Sequence, residues 1–139
     1  MARPKAFNEQ KILTQAMHLF WEKGYQATSI QDLEAHLNVG RRSLYNTFGS
    51  KHDLFLTALG HYAQHHNPDF VVGNSDQSAL DVIRGIFDDI AREALEEGGR
   101  CGCMMVNSAV ELAGHDAAID QFSEGAIQGM TRGFYNLVR

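Results

Sequence analysis

A chain of 139 residues with 44% apolar and 21% charged side chains has the composition of an ordinary soluble globular protein, long enough to bury a core. No apolar run approaches the roughly eighteen residues of a membrane span, and the residues after Met1 lead into polar sequence rather than an apolar signal core, which points to the cytoplasm. The net charge of −5 is unevenly spread: residues 1–60 carry seven Lys and Arg against five Asp and Glu, a net of +2, and residues 61–139 carry five against twelve, a net of −7.

In chain order, Arg3-Pro4-Lys5 is too short to fold by itself and reads either as a disordered start or as a basic segment that lies against phosphate or in a minor groove. Asn8 is placed to cap a helix from Glu9 to Lys23, in which Ile12, Leu13, Ala16, Leu19 and Phe20 recur at helical spacing. Gly24 stops it, and Trp21 and Tyr25 close it against the next two helices. Thr28 is placed to cap a second helix, with Gln31 three residues on completing a capping box. Ile30, Leu33 and Leu37 then share one face. Asn38 suits the reversal because a short amide side chain tolerates the left-handed conformation. A third helix begins at Gly40, with Leu44 and Phe48 four apart as an inward pair and Arg41, Arg42, Ser43, Tyr45, Asn46 and Thr47 on its other sides.

A helix, a tight turn and a second helix that opens on two arginines is the pattern of a DNA reader. The N-terminal end of the second helix is where such a motif offers side chains to base edges, and an arginine fork matches the O6 and N7 acceptors of guanine. On this argument the candidate DNA-contacting residues are Gly40, Arg41, Arg42, Ser43, Asn46 and Thr47.

Gly49-Ser50 ends the third helix and Ser50-Lys51-His52-Asp53 opens a fourth, whose buried face is Leu54, Phe55, Ala58, Leu59 and Tyr62. Asn67-Pro68 ends it. The Gly-, Asn- and Ser-containing stretch to Gln77 reads as a boundary, which divides the chain into a helix-turn-helix unit at 1–50, a linking helix at 51–67 and a helical body at 77–139. The body reads as three helices. The first runs from about Ser78 to Glu97, marked by Leu80, Ile83, Phe87, Ile90 and Ala94, and Gly98-Gly99 stops it. The second, about Met104 to Ala113, is apolar nearly all round and so is expected to be central. The third, Asp116 to Arg139, carries Ile119, Phe122, Ala126, Met130 and Leu137 on one stripe and Gly125, Gly129 and Gly133 on another, a row that calls for close packing or a cavity wall. The fold class is all-α, with no strand and no internal repeat.

The stretch GYQATSIQDLEAHLNVGRRSLYNTFGSKHDLF, with AMHLFWEKGY before it, resembles the N-terminal DNA-binding domain of the tetracycline-repressor (TetR) family of bacterial regulators. The elements that carry the resemblance are Phe20, Gly24, Thr28 or Ser29, Leu33, the segment from Val39 to Tyr45, Phe48, Lys51 and Leu54, at the family's spacing without a gap. Three positions differ from its usual pattern: Glu34 stands where alanine is common, Asn38 where glycine is, and Gly40 where a serine or threonine cap is. GCMMVNSAVELA resembles the start of the sixth helix in one branch of that family. Only through this resemblance do Thr28, Ser29, Tyr45 and Lys51 join the candidate DNA-contacting residues. The resemblance implies a double-stranded DNA operator, phosphate contacts from Tyr45 and Lys51, a homodimer in the intact protein, and a body that encloses a small-molecule effector. Residues taken to line that pocket are Tyr62, Phe87, Cys103, Asn107, Glu111, Phe122 and Met130. It also implies that the chain stops where the seventh helix should end, so that either the body is incomplete or the protein dimerises by other means.

Other readings rest on less. A DNA-binding adaptor whose body binds a protein is the main competitor. A thiol- or metal-responsive sensor would use Cys101 and Cys103, a pair too close for an ordinary structural disulfide, with His61, His65 and His66 as further soft ligands. Nothing in the sequence brings those groups together, and no metal or cofactor is assigned. Cys103, His115 and Asp116 are the residue types of a thiol hydrolase, but no phosphate loop, nucleophile elbow or zinc motif accompanies them, and no catalytic residue is assigned.

Overall fold

The computed structural model describes residues 5–66, 77–96 and 101–139, with side chains from Asn8 onward. These residues form seven α-helices and no strand: α1 (Lys5–Lys23), α2 (Ile30–Leu37), α3 (Arg41–Phe48), α4 (Lys51–His66), α5 (Ala79–Leu95), α6 (Met104–Leu112) and α7 (Ala117–Leu137).

The local signals place most helix ends. Gly24 adopts φ +86° and donates its amide to the Phe20 carbonyl at 2.7 Å, which stops α1. Asn38 is left-handed at φ 53° and closes α2. Ser50 and Asp53 bond each other's amides reciprocally at the start of α4, and Ser78 caps α5. Two ends differ from expectation. Helix α1 extends back to Lys5, so Asn8 lies inside it rather than capping it, and Lys5 is part of a folded helix, while Arg3 and Pro4 lie outside the described residues. At α2 the cap is Ser29, not Thr28, and its reciprocal partner is Asp32, not Gln31. The Thr28 hydroxyl instead donates to the Gly24 carbonyl at 2.6 Å, completely buried beneath the α1–α2 turn.

Helices α1 and α4 pack along each other and carry most of one continuous core, into which α2 and α3 insert Leu33, Leu37 and Leu44. Phe20 and Phe55 meet edge to face at 5.1 Å in its centre. Each such buried side chain contributes about 2 kcal/mol by leaving water. Met104, Met105 and Leu112 of α6 and Ile119 of α7 extend this core into the body.

The body is more open than its apolar pattern predicts. Helix α6 buries one side only and leaves Val106 and Val110 exposed, so it is not apolar on all sides for reasons of burial. Helix α5 contributes no buried residue, and its Leu80, Phe87 and Ile90 face out. On α7, Ile119 is buried and Phe122 and Ala126 pack on the core, but Met130 is exposed. A Cβ at Gly125 or Gly129 would meet nothing within 4 Å, so no close neighbour among the described residues accounts for glycine at these two positions. The 67–76 boundary and the Gly98-Gly99 stop lie outside the described residues. No described helix is long and apolar enough to cross a membrane.

Candidate nucleic-acid interface

Helix α3 is built to show most of its surface. Leu44 is buried and Phe48 packs on the core, which holds the helix down and leaves Arg41, Arg42, Ser43, Tyr45, Asn46 and Thr47 exposed around them. Gly40, at φ −66° and ψ 149°, is its N-cap and supplies no side-chain hydrogen bond. Glu34 of α2 takes over that role: its Oε1 accepts from the Arg41 amide at 2.6 Å, and its Oε2 lies 3.7 Å from Arg41 Nη2. No hydrogen bond or ion pair engages Arg42 among the described residues.

Ser29 is exposed at the start of α2 beside Asp32, whose carboxyl falls to about 2 because Lys23 and Ser29 both donate to it. Lys51 opens α4 half-buried, its Nζ 4.3 Å above the Tyr25 ring, and burial lowers its pKa. Of the ten residues expected to face DNA, nine keep access to solvent. Thr28 does not; with no exposed surface it supports the turn from within rather than offering a hydroxyl to phosphate.

The body grips this head at three places. Glu111 of α6 accepts from the Tyr25 amide at 3.0 Å and the Gln26 amide at 2.8 Å, directly under the turn into α2. His52 of α4 lies 2.6 Å from Asp116, which also caps α7 by accepting from the Ala118 and Ile119 amides. Burial works against ionisation of Asp116, but His52 and those amides outweigh it and hold its carboxyl below the ordinary range. Trp21 Nε1 donates to the Gly102 carbonyl at 2.9 Å. No local spacing in the sequence signals any of these.

The residues expected to line an effector pocket fall into separate groups. Asn107 and Glu111 line a cleft of about 170 Å³ between α1 and α6, walled also by Phe20, Trp21, Phe55 and Met104. Tyr62 sits in the core against Trp21 and His66, near Cys103, and burial raises its pKa strongly. Phe122 packs on the core, while Phe87 and Met130 stand on exposed surfaces. Both cysteines are free, and among the described residues no three His, Cys, Asp or Glu side chains are grouped to hold a metal ion. Cys103 precedes α6 and His115-Asp116 come after it, so about 13 Å of helix separates the thiol from the groups that would activate it.

A helix-turn-helix head on a helical body defines a class of DNA-binding regulator, and the comparisons with known proteins agree. The profile of bacterial regulatory proteins of the tetR family matches residues 12–58. The chain is 34% identical over 137 residues to the uncharacterized HTH-type transcriptional regulator YezE of Bacillus subtilis, spanning 98% of this chain and 71% of that protein. It is also 34% identical over 116 residues to the HTH-type transcriptional repressor ComR of Escherichia coli, spanning 80% of this chain and 54% of that one. Among solved structures, a cysteine mutant of the TetR family regulator CifR, complexed with 26-bp operator DNA, superposes with a TM-score of 0.82 at 27% identity, covering 99% of this chain and 72% of that one. A TetR regulator from Chloroflexus aurantiacus gives the same TM-score at 25% identity, covering 96% and 68%. The chain belongs to the TetR family of helix-turn-helix transcriptional regulators.

Proposed function

We propose that the intact protein is a sequence-specific repressor in the cytoplasm that binds a palindromic operator as a homodimer and is released by a small-molecule effector. Gly40 to Thr47 would enter successive major grooves, with Ser29, Tyr45 and Lys51 on phosphates. The observation that carries this reading is the grip of the α6–α7 corner on the head: Glu111 and Asp116, five positions apart, hold the α1–α2 turn and the start of α4. An effector that prefers a different placement of that corner would shift the heads off their operator spacing, by no more than its differential affinity for the two states. The cleft walled by Asn107 and Glu111 adjoins this grip and supports an effector of modest size.

The test is fluorescence anisotropy of the full-length protein on DNA from upstream of its own gene and on a scrambled duplex, at two salt concentrations. Salt-dependent binding that strongly prefers the upstream duplex supports the reading. Equal or absent binding by a folded dimer removes autoregulation and favours an adaptor whose exposed apolar faces on α5 and α7 meet a protein.

A further inference from the structure

We propose that Glu34 is a specificity-determining residue of the recognition helix: it holds Arg41 in place and fills the amide end of α3 that would otherwise take a DNA phosphate. The proposal rests on the reading of Gly40 to Thr47 as the base-reading segment.

The freed amides at a helix N-terminus, with the positive end of the helix dipole, make an anion site. In a head docked on DNA the available anion is backbone phosphate, which carries no sequence information. Here Gly40 leaves that site open, and the carboxylate of the neighbouring helix occupies it, with Oε1 2.6 Å from the Arg41 amide. The same carboxylate stands 3.7 Å from the Arg41 guanidinium. One side chain therefore caps the helix, repels phosphate from its end and restrains one of two adjacent arginines. Arg42 is under no such restraint among the described residues, so the pair is unequal although the sequence writes it as a repeat. A cation held by a carboxylate is a poorer phosphate clamp but an oriented donor, which lowers affinity for any DNA more than for the right one.

A plain capping role is separable from this one, because Gly40 can accept a side chain. Its backbone is extended and a Cβ there meets nothing within 4 Å, so Gly40→Ser supplies a hydroxyl cap without strain. The experiment compares full-length wild type, Glu34→Ala, Gly40→Ser and the double variant Glu34→Ala/Gly40→Ser, with the double variant's operator-to-scrambled ratio read against that of Gly40→Ser because Gly40 itself belongs to the base-reading segment. Each is measured on a duplex selected by the wild type from a random pool and on a scrambled duplex, across salt, with a thermal melt. Expected for Glu34→Ala is binding to scrambled DNA tighter by about tenfold, with a salt slope steeper by about 0.9 for one added phosphate contact. In the double variant the melting temperature returns towards wild type while the operator-to-scrambled ratio stays low. Recovery of both in the double variant overturns the proposal and leaves a cap, as does equal weakening on both duplexes in Glu34→Ala. A wild type that selects no sequence overturns the base-reading assignment, and the Glu34 proposal with it.

Discussion

Glu111 on α6 bonds the backbone of Tyr25, 86 residues earlier, and the Tyr25 ring in turn packs on Phe55 at 4.8 Å and beneath Lys51. One carboxylate thus ties the body to the turn that aims α2 and to the lysine that opens α4. His52 and Asp116 repeat the tie one side chain away, since His52 lies against the same tyrosine ring.

Removal of this carboxylate should loosen the head more than it unfolds the protein. Glu111→Ala leaves two amides without their partner, at a cost of about 2 kcal/mol. The expected result is faster hydrogen exchange at Tyr25 and Gln26 and weaker operator binding, with the exchange of core amides in α1 and α4 little changed. Unchanged exchange at the two turn amides would count against the tie.

Gly24 is the position where Glu111 comes closest to the turn. At φ +86° any side chain is strained, and an added Cβ would lie 3.0 Å from Glu111 Oε2. Gly24→Ala should cost about 1–2 kcal/mol from the backbone alone. The strain survives removal of the carboxylate but the crowding does not, so a Gly24→Ala/Glu111→Ala double variant should melt higher than additivity predicts.

Arg42 and Lys51 should separate base reading from phosphate binding. Arg42→Ala is expected to weaken operator binding by about 1–3 kcal/mol and random DNA by less, whereas Lys51→Ala should weaken both alike and lower the salt slope. Anisotropy titrations on both duplexes decide it. Equal losses for Arg42→Ala would remove it from base readout.

Acid should loosen the contact between α1 and α4. His61 lies 3.1 Å from Thr14 and 4.2 Å, ring to ring, from His65, and burial, then the nearby histidines, lowers its pKa from 6.5. His66, stacked on Tyr62, is lowered chiefly by burial. A histidine depressed in the folded state binds its proton more readily when unfolded, so its contribution is complete above pH 6.5 and falls as the pH drops below that value. Thermal melts should show a loss of stability from pH 7 towards 5.5 that His61→Gln reduces. A profile identical in the variant would sink this assignment.

How much of the molecule its sequence declares depends on the range of the interaction. Ser50 with Asp53, the left-handed Asn38, the glycine stop at Gly24 and the inward pair Leu44 and Phe48 act within one helical turn, so spacing alone places the helices and the segment that reads as a DNA contact. Neighbouring candidates for one local role were not separable in this way. Thr28 and Ser29 are both competent caps, and the choice fell to Ser29 because the end of α1 buries Thr28 and takes its hydroxyl. The apolar stripes of α5 and α7 were equally legible, but periodicity says which face is apolar and not whether anything covers it. Only the tertiary structure joined Glu34 to Arg41, Glu111 to Tyr25 and His52 to Asp116. These bonds span 7 to 86 residues and form because packed helices bring side chains together, which no spacing rule along one helix encodes.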